Sequence, residues 1–337
     1  MLLGGKSAFQ GVVVWAGKRY FTTNRSTCKT VFSPCKHFSY SVVFRANRLR
    51  ELDNRELSVS RSLHRCSFSS TCSISENLQV RTIPVLRDNY AYLLIDKRHK
   101  VAAAVDPVEP TKVTRAAEEE GVSLVAVLTT HKHWDHSGGN EELLEKYSSL
   151  KIFGSKYEIV PGTTHRVGQG DIFQFYSPSC LEVYVYCTPC HTRGHLLYFV
   201  KERDAIGSSA VLFSGDTLFI GGCGRFFEGD SNDMLQNIEQ VIHRFPRNTF
   251  MFCGHEYTLK NLEFALQMEP HNQILKEKYD WAKKQLELGK CTVPSTLEEE
   301  FLYNPFLRYG EASIQQAVQQ SEPAKVLAEL RKRKDVF

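Results

Sequence analysis

The stretch VLTTHKHWDHSGGN, at residues 127–140, carries the densest chemical signal in the chain. Three histidines and one aspartate, His131, His133, Asp135 and His136, lie within six residues, although the 337-residue chain has only 12 histidines. Imidazole nitrogens and carboxylate oxygens are the usual protein ligands of zinc and of comparable divalent metals. Side chains alternate in direction along an extended segment, so His131 and His133 can face one metal together. The stretch therefore predicts a metal site rather than a His-rich surface loop, and one segment could serve two neighbouring metals.

Three further segments offer ligands at the ends of predicted strands, where loops converge into functional sites. CTPCHTRGH offers His191 or His195, LFSGDTLF offers Asp216, and MFCGHEY offers His255. A glycine precedes both Asp216 and His255, which indicates a turn directly before each candidate ligand. The other histidines after residue 78 lack this context and are expected at the surface or in the core: His99, His165, His243 and His271.

From Leu78 onward, short apolar runs alternate with turn residues, which predicts strands with interspersed helices. SLVAVLTT leads into the histidine cluster and is apolar on both faces, so it is predicted to be a central, buried strand. TKVTRAAEEEG is predicted to be a helix that ends at Gly121. After about Thr258 the pattern becomes helical. We therefore predict an α+β fold of stacked sheets with helices outside, followed by a C-terminal helical region.

The N-terminal 77 residues differ from the rest in charge and in pattern. Residues 1–50 contain nine Lys or Arg and no Asp or Glu, and the following stretch is rich in serine. This composition is typical of a mitochondrial transit peptide, with a disordered basic arm as the alternative. We expect residues 1–77 to be a presequence, disordered or cleaved. The expected location is the mitochondrial matrix, or the cytoplasm where the segment is absent, and His37 and His64 are not counted as candidate ligands.

The composition argues against several other classes of protein. The net charge is only +4, which gives no reason to expect a nucleic-acid partner. The longest uncharged apolar run near the start, residues 11–17, is far shorter than the roughly 20 residues of a membrane span, so we expect none. Cys187 and Cys190 have the spacing of a redox motif, but packed, reduced thiols are the favoured interpretation.

The motifs THKHWDH, TPCHT, SGDTLF and CGHEY, in this order and spacing, resemble the metallo-β-lactamase superfamily. RDNYAYLLID, GCGRFFEG and VPSTLEEEFLYNPFLR narrow the resemblance to the glyoxalase II (hydroxyacylglutathione hydrolase) family. A glyoxalase II-like branch linked to paroxysmal nonkinesigenic dyskinesia has similar THKHWDHSGGN and CGR stretches. The resemblance covers roughly residues 79–337 and implies a metallo-β-lactamase αββα sandwich with an added helical domain. It places a catalytic domain at 78–257 and a helical substrate-binding domain at 258–337.

The resemblance also implies two divalent metal ions per chain. Zinc is the first expectation, with iron or manganese as alternatives, because His and carboxylate ligands suit all three. In this scheme His195 is a neighbour of the site and Asp106 orients the metal loop. Asp135 and Asp216 are the implied catalytic residues around a metal-bridging hydroxide. The implied ligands are His131, His133 and His191 for one ion, Asp135, His136 and His255 for the other, and Asp216 as a bridge.

The implied reaction is hydrolysis of S-D-lactoylglutathione, or another S-2-hydroxyacylglutathione, to D-lactate and glutathione. A thiolate leaves readily because thiol pKa values lie near 8.5, so no Ser–His–Asp set and no Cys190 nucleophile is needed. Arg225 and Phe227 replace a lysine and a tyrosine of the family pattern. These replacements are expected to change the affinity for substrate rather than the hydrolytic step. We expect a monomer. The implied substrate contacts are Arg225, Phe227, His255, Tyr257, Arg331 and Lys334.

Two alternatives remain open at this stage. A mono-iron persulfide dioxygenase of the same superfamily would need only a subset of the seven ligands. A regulatory or interaction protein with weak hydrolase activity is the other alternative, by analogy with the dyskinesia-linked branch. Phe227 is the residue that keeps this second alternative open.

Overall fold

The computed structural model describes residues 69–203, 207 and 209–337. These residues belong to one compact unit. Most of the predicted presequence, including His37 and His64, lies outside the described residues.

Seven strands form the first sheet, in the order β1-β2-β3-β4-β5-β6-β7. Neighbouring strands are antiparallel from β1 to β4 and parallel from β4 to β7. The strands are β1 (Ser70–Ser73), β2 (Leu78–Val85), β3 (Asn89–Asp96), β4 (Val101–Val105), β5 (Ser123–Leu128), β6 (Lys151–Ser155) and β7 (His165–Val167).

Six strands form the second sheet, in the order β15-β14-β11-β10-β9-β8, and a separate hairpin pairs β12 with β13. In the second sheet only β11 and β14 run parallel. The strands are β8 (Ile172–Phe173), β9 (Leu181–Cys187), β10 (Leu196–Glu202), β11 (Val211–Gly215), β12 (Leu218–Phe219), β13 (Gly222–Cys223), β14 (Phe250–Cys253) and β15 (Ser295–Thr296).

The helices of the described residues fall into three groups along the chain. Three lie between strands of the first sheet, one lies between β13 and β14, and five belong to the C-terminal region. They are α1 (Pro110–Glu120), α2 (Trp134–Ser137), α3 (Asn140–Lys146), α4 (Ser231–Gln240), α5 (Thr258–Met268), α6 (Gln273–Glu287), α7 (Leu297–Tyr303), α8 (Ala312–Val318) and α9 (Pro323–Val336).

Alternation along β3 explains the layered arrangement. All eight residues of β3 are buried, so both faces of the first sheet are covered. Tyr92 faces the second sheet, where its ring packs on Phe213 and Phe252. Leu93 faces the opposite way and shares a core cluster with Val113 of α1. Because full burial of one such side chain contributes roughly 1.5–3 kcal/mol, these two cores hold the predicted αββα layers together.

Several sequence predictions are confirmed by individual elements. Helix α1 ends where predicted, since Gly121 takes a left-handed conformation at φ 65° and its N–H bonds back to Ala117 and Glu118. Strand β5 lies between β4 and β6, which confirms the prediction of a central strand, but only its second half, residues 126–128, is buried.

The predicted start of the folded region at Leu78 is too late. Strand β1 pairs with β2 from Ser70↔Thr82 to Ser73↔Gln79. The hydroxyl of Ser75 then donates to Glu202 in the other sheet at 2.6 Å. The serine-rich β1 is largely exposed and lacks apolar alternation, so periodicity could not detect it.

The C-terminal helices share their core with the sheets. Helix α5 begins at Thr258, where the helical region was predicted to start. Phe264, Phe306 and Leu330 belong to the same buried cluster as the residues between the two sheets. The helical region is therefore packed against the catalytic region rather than folded around a separate core. Within the described residues, none of these helices combines the length and apolar character needed to traverse a bilayer.

Candidate active site

Seven predicted ligands meet at the carboxyl ends of strands from both sheets. Loop 129–133 and helix α2 follow β5, loop 188–195 follows β9, and single residues follow β11 and β14. Strands β9 and β11 both run antiparallel to β10, so their carboxyl ends lie at the same edge. The seven side chains are His131, His133, Asp135, His136, His191, Asp216 and His255.

His131, His133 and His191 face one another through their ring nitrogens. Nε2 of His131 lies 3.0 Å from Nδ1 of His133, and Nε2 of His191 lies 3.1 Å from the same atom. His131 and His191 are buried, whereas His133 is partly exposed. The three side chains have the spacing of ligands to one metal ion.

Asp135, His136 and His255 form a second set beside the first. Nε2 of His136 lies 3.3 Å from Nε2 of His255. Oδ2 of Asp135 lies 3.5 Å from the His136 nitrogen and 3.4 Å from the His255 nitrogen. These side chains also have the spacing of a metal site.

Asp216 lies between the two sets and touches both. Its Oδ2 is 3.4 Å from Nε2 of His191 in the first set and 3.4 Å from Nε2 of His255 in the second. Its Oδ1 is 3.4 Å from Nε2 of His136. The structure thus places Asp216 where the predicted bridging ligand would lie.

The outer nitrogens of three histidines face oxygens that can only accept a hydrogen bond. Each Nδ1 must therefore carry a proton, so Nε2 is the nitrogen through which each of these rings would bind a metal ion. The three pairs are His136 Nδ1 with Asp106 Oδ2 at 2.9 Å, His191 Nδ1 with the Arg225 carbonyl at 3.0 Å, and His255 Nδ1 with Asp88 Oδ1 at 3.1 Å.

Asp106 orients the metal loop, as predicted, and does so through Thr130. Its Oδ1 accepts from the Thr130 N–H at 2.8 Å, and its Oδ2 accepts from the Thr130 hydroxyl at 2.7 Å. That hydroxyl has no second proton, so at 3.1 Å it must accept from Nδ1 of His131. His131 thereby carries a proton on Nδ1, as His136, His191 and His255 do.

The charge state of the two carboxylates suits a cation. Burial would raise the pKa of Asp216, but the imidazoles of His255 and His136 outweigh it and hold that pKa well below its usual range. Burial is likewise opposed at Asp135 by His255, His136 and the Asn89 amide, and the pKa of Asp135 is lowered. Both carboxylates are therefore ionised at neutral pH.

Two imidazoles of the first set, those of His131 and His191, are held in the uncharged form. Burial lowers the pKa of His131 well below its ordinary value. Burial, partly opposed by Asp216, also lowers the pKa of His191. Neutral imidazole is the form that ligates a metal, because its Nε2 lone pair is free.

A divalent cation would neutralise the buried Asp216 carboxylate and would be a partner for its unbonded oxygen. Among the described residues, Oδ1 of Asp216 is one of two buried side-chain polar atoms without a hydrogen-bond partner. Leaving a buried charged acceptor unpaired costs more than about 1–3 kcal/mol. The ring nitrogens that face the centre of the site lie 3.0 to 3.3 Å apart, which is close enough for them to share a metal ion. The residues fit a divalent-metal site on both counts.

Glycines permit the close packing at this site. A Cβ at Gly254 would lie 2.3 Å from Asp216 Oδ1 and 2.7 Å from His136 Cε1. A Cβ at Gly215, which has φ 48°, would lie 2.7 Å from His195 Nε2. The predicted strand–glycine–ligand pattern therefore has a steric cause.

His195 lies beneath the ligands, as the sequence analysis expected. Its Nε2 accepts from the Asp216 N–H at 3.0 Å, and its ring stacks on His131 at 4.8 Å. Cys190 is buried, which raises the pKa of its thiol, and its Sγ donates to the Asp230 carbonyl. This thiol is unsuited to act as a nucleophile or as part of a redox pair.

Sequence reasoning missed Asp88 and Asn89. The Asn89 amide donates to Asp135 Oδ2 at 2.8 Å, and Asp88 accepts from His255. Both residues belong to the segment RDNYAYLLID, for which the sequence predicted no contact with the metal ligands. Two adjacent Asx residues directly before a strand that enters the core were the available signal.

A cavity of about 480 Å³ opens from the metal ligands and contains all six predicted substrate contacts. Its walls join metal-ligand candidates to a second set of side chains from β12, from the segment after β13 and from the C-terminal helical region. The first group is His133, Asp135, His191, Asp216 and His255. That second set includes Phe219, Arg225, Phe227, Tyr257, Lys260, Arg331 and Lys334.

Four cations lie around this cavity. Asp335 pairs with Arg225 at 3.4 Å and with Arg331 at 2.9 Å. Arg331 is buried and also donates to the Cys223 carbonyl at 3.0 Å, so much of its hydrogen-bonding capacity is already used within the protein. Lys260, which sequence reasoning missed, lies one helical turn beyond Tyr257 in α5. Apart from the candidate metal ligands, the side chains that line the cavity therefore carry net positive charge.

Burial, together with Arg331 and Lys260, lowers the pKa of Lys334 to about 7. The Lys334 ammonium donates to the Lys260 carbonyl at 3.0 Å. Burial also raises the pKa of Tyr257 to about 12, so its hydroxyl stays protonated and can donate. The ring of Tyr257 stacks on His255 at 4.6 Å.

Comparison with known proteins agrees with this fold and site. Residues 87–255 match the family model described as Metallo-beta-lactamase superfamily. Among solved structures, a metallo-beta-lactamase from Staphylococcus aureus superposes with a TM-score of 0.53 at 20% identity, covering 77% of this chain and 67% of that one. ETHE1 from Myxococcus xanthus superposes with a TM-score of 0.51 at 20% identity, covering 80% and 99%. At this identity these two similarities establish the fold alone.

The C-terminal part of the chain narrows the assignment from the superfamily to one family. Residues 256–337 match the model described as Hydroxyacylglutathione hydrolase C-terminus. A hydroxyacylglutathione hydrolase-like protein of Gallus gallus is 45% identical over 260 residues, which cover 77% of this chain and 90% of the relative. The cytoplasmic hydroxyacylglutathione hydrolase of Arabidopsis thaliana is 42% identical over 258 residues, covering 77% and 98%. The chain is a metallo-β-lactamase-fold enzyme and belongs to the hydroxyacylglutathione hydrolase family.

The close packing around Asp216 yields a first prediction. Gly254→Ala should greatly reduce the divalent metal retained after purification, because the added methyl group must displace the Asp216 carboxylate or His136. Gly310→Ala is the control, since nothing lies within 4 Å of its added Cβ. Elemental analysis of both variants measures the effect. Full metal retention in Gly254→Ala would show that the ligands tolerate this displacement.

Proposed function

We propose that this enzyme hydrolyses S-2-hydroxyacylglutathione thioesters, with S-D-lactoylglutathione as substrate and D-lactate and glutathione as products. One observation carries the proposal: a single cavity joins the His and Asp cluster to a cationic wall. The cluster suits hydrolysis of the thioester carbonyl, and the cations suit the carboxylates of glutathione. The names of the curated relatives support the same substrate class.

We further propose that the active enzyme holds two divalent ions, with zinc preferred. His131, His133 and His191 would hold one ion, Asp135, His136 and His255 the other, and Asp216 would contact both. Bound divalent metal lowers the pKa of a water from about 16 towards 7 and polarises a carbonyl. The His and carboxylate donor set suits zinc, and it equally admits iron or manganese.

The chain's own residues would bind and orient the substrate. Lys334, Lys260 and Arg225 would attract the glutathione carboxylates, and the protonated Tyr257 hydroxyl would donate to the same part of the substrate. Asp88 and Asp106 keep His255 and His136 in the tautomer that presents Nε2. The thiolate leaves without a dedicated acid, because thiol pKa values lie near 8.5.

The central test is turnover of S-D-lactoylglutathione by residues 69–337, with metal measured on the same sample. We expect hydrolysis, close to two equivalents of metal, and a loss of at least about 100-fold in kcat for Asp216→Ala, because both sets lose a ligand. Glu182→Ala is the control, because Glu182 is a partly exposed residue of β9 that pairs with Arg203. Metal-replete enzyme that does not hydrolyse this thioester would contradict the proposed substrate.

Phe227 lies over the ligands and lacks the hydroxyl of the family pattern. Its ring centroid is 5.1 Å from that of His191 and 6.0 Å from that of His133, and the side chain is 60% exposed. It can therefore contact substrate at the cavity mouth through its ring but cannot donate a hydrogen bond.

Phe227→Tyr should lower KM for S-D-lactoylglutathione about fivefold with little change in kcat. The restored hydrogen bond, worth about 1 kcal/mol, would be shared by the bound substrate and the transition state. Steady-state kinetics on both proteins measures this. An unchanged KM together with negligible activity in both would favour the regulatory alternative or another acyl thioester.

Lys334 predicts a pH dependence of substrate binding. Below a pKa of about 7 the free enzyme carries its ammonium, and above it the charge is lost, so KM should rise between about pH 6 and about pH 9. Lys334→Arg should flatten this rise, because guanidinium stays protonated. Lys283→Arg on α6 is the control. A wild-type KM rise that persists in Lys334→Arg would assign the titration to another group.

We also propose that residues preceding the fold direct the enzyme to the mitochondrial matrix. The nine basic and absent acidic residues of 1–50 support this, and the matched family models begin only at residue 87. Because β1 begins at Ser70, the mature N-terminus is expected between about residues 50 and 69. N-terminal sequencing of protein from purified mitochondria tests it. A full-length chain, or protein found only in the cytosol, would contradict it.

A further inference from the structure

We propose that Glu158 is a positioning residue that braces the two loops supplying His131, His133 and His191. This inference rests on the proposed metal-binding function and adds a residue outside the ligand set. Glu158 follows β6, and its side chain is only 4% exposed. The first metal loop denotes residues 129–133 and the second metal loop denotes residues 188–195.

The Glu158 carboxylate bonds to both loops directly. Oε1 accepts from the Lys132 N–H at 2.8 Å and from the Thr192 hydroxyl at 3.2 Å. Oε2 accepts from the Gly194 N–H at 3.0 Å. Lys132 lies between His131 and His133, and Thr192 follows His191. The Glu158 side chain therefore links the first and second metal loops next to the residues that would bind the first metal ion.

The second metal loop is shaped to receive this carboxylate. A Cβ at Gly194 would lie 2.4 Å from Glu158 Cγ and 2.7 Å from its Cδ. A glycine is thus required for the loop to approach closely enough to donate its N–H. A surface ion pair between Glu158 and Lys132 would not require the second metal loop to come this close.

Glu228 reinforces the brace from the opposite side of Lys132. Its Oε1 accepts from the Lys132 ammonium at 2.6 Å, and its Oε2 accepts from the Arg193 N–H at 2.8 Å. Glu228 joins the same two loops, but its side chain is 30% exposed. Solvent weakens such a pair, so Glu158 should carry the larger share of the positioning.

The brace is specific to one of the two sets. At the base of the loops the Leu196 N–H donates to the Thr130 carbonyl at 2.8 Å, which fixes them at one end only. Asp135, His136 and His255 are held instead by Asn89, Asp106 and Asp88. Loss of Glu158 should therefore weaken metal binding at the His131, His133 and His191 set and leave the other set unaffected.

A carboxylate is the group that this position requires. Three N–H or O–H donors converge on Glu158, and a carboxylate offers acceptors on both oxygens. In Glu158→Gln the amide NH₂ must face one of these donors, so one loop loses its partner while the side-chain volume is kept. Groups that orient metal ligands typically affect affinity 10–100-fold when lost.

The test measures cobalt(II) affinity by chelator competition in two parent variants. His255→Ala keeps the first set of three histidines, and His133→Ala keeps the other set. Adding Glu158→Gln should weaken cobalt binding about tenfold or more in the first parent and by less than about twofold in the second. Glu269→Gln is the matched control, because Glu269 is equally buried and accepts from Arg308 and Ser313 far from the site.

Amide hydrogen exchange on metal-free protein supplies an independent measurement. Glu158→Gln should speed exchange at Lys132 and Gly194, whereas Glu269→Gln should not. Equal weakening of cobalt binding in both parents, or a lower Tm with unchanged cobalt affinity, would reduce Glu158 to a structural residue and overturn the proposal. If the parent chain itself failed to bind cobalt, that result would contradict the proposed function. In that case hydrogen exchange alone would test Glu158, and unchanged exchange at Lys132 and Gly194 in Glu158→Gln would overturn its role.

Discussion

The buried Asp216 carboxylate touches imidazoles from three different loops at 3.4 Å, and the arrangement of the site depends on it. A carboxylate removed from water is strongly destabilising unless positive charge lies beside it. The histidines around it turn ring nitrogens towards the same centre. A divalent cation there would stabilise the carboxylate and bind these nitrogens, so the cluster favours metal binding.

This constraint explains why both sheets end at the same place. His136 follows β5 of the first sheet, whereas Asp216 and His255 follow β11 and β14 of the second, so the ligands meet only when the sheets are packed face to face. The core around Tyr92, Phe213 and Phe252 supplies the packing that keeps the strand ends together. The C-terminal helices share this core and bring Lys260 and Lys334 to within reach of the metal ligands.

Local sequence was sufficient to identify the side chains that converge at the candidate metal site, but not the residues that position them. The HKHWDH cluster and the two glycine–ligand pairs are short-range patterns whose side-chain chemistry identifies them directly. Asp88 and Glu158 act through partners 167 and 26 to 36 residues away, so no local spacing reveals them. Strand β1 forms an exposed edge of the first sheet and covers no core face. It therefore needs no apolar alternation, and the sequence pattern could not reveal it. Arg331 was expected to contact substrate, but its bonds to Asp335 and the Cys223 carbonyl became visible only in the fold.

The most direct test of a metal-bridging Asp216 is anomalous diffraction at the zinc edge from crystals of zinc-loaded protein. The predicted result is two anomalous peaks, one within ligand distance of His131, His133 and His191 and one within ligand distance of Asp135, His136 and His255, with Asp216 oxygens contacting both. A single peak, or two peaks that Asp216 does not touch, would contradict the role assigned to this carboxylate.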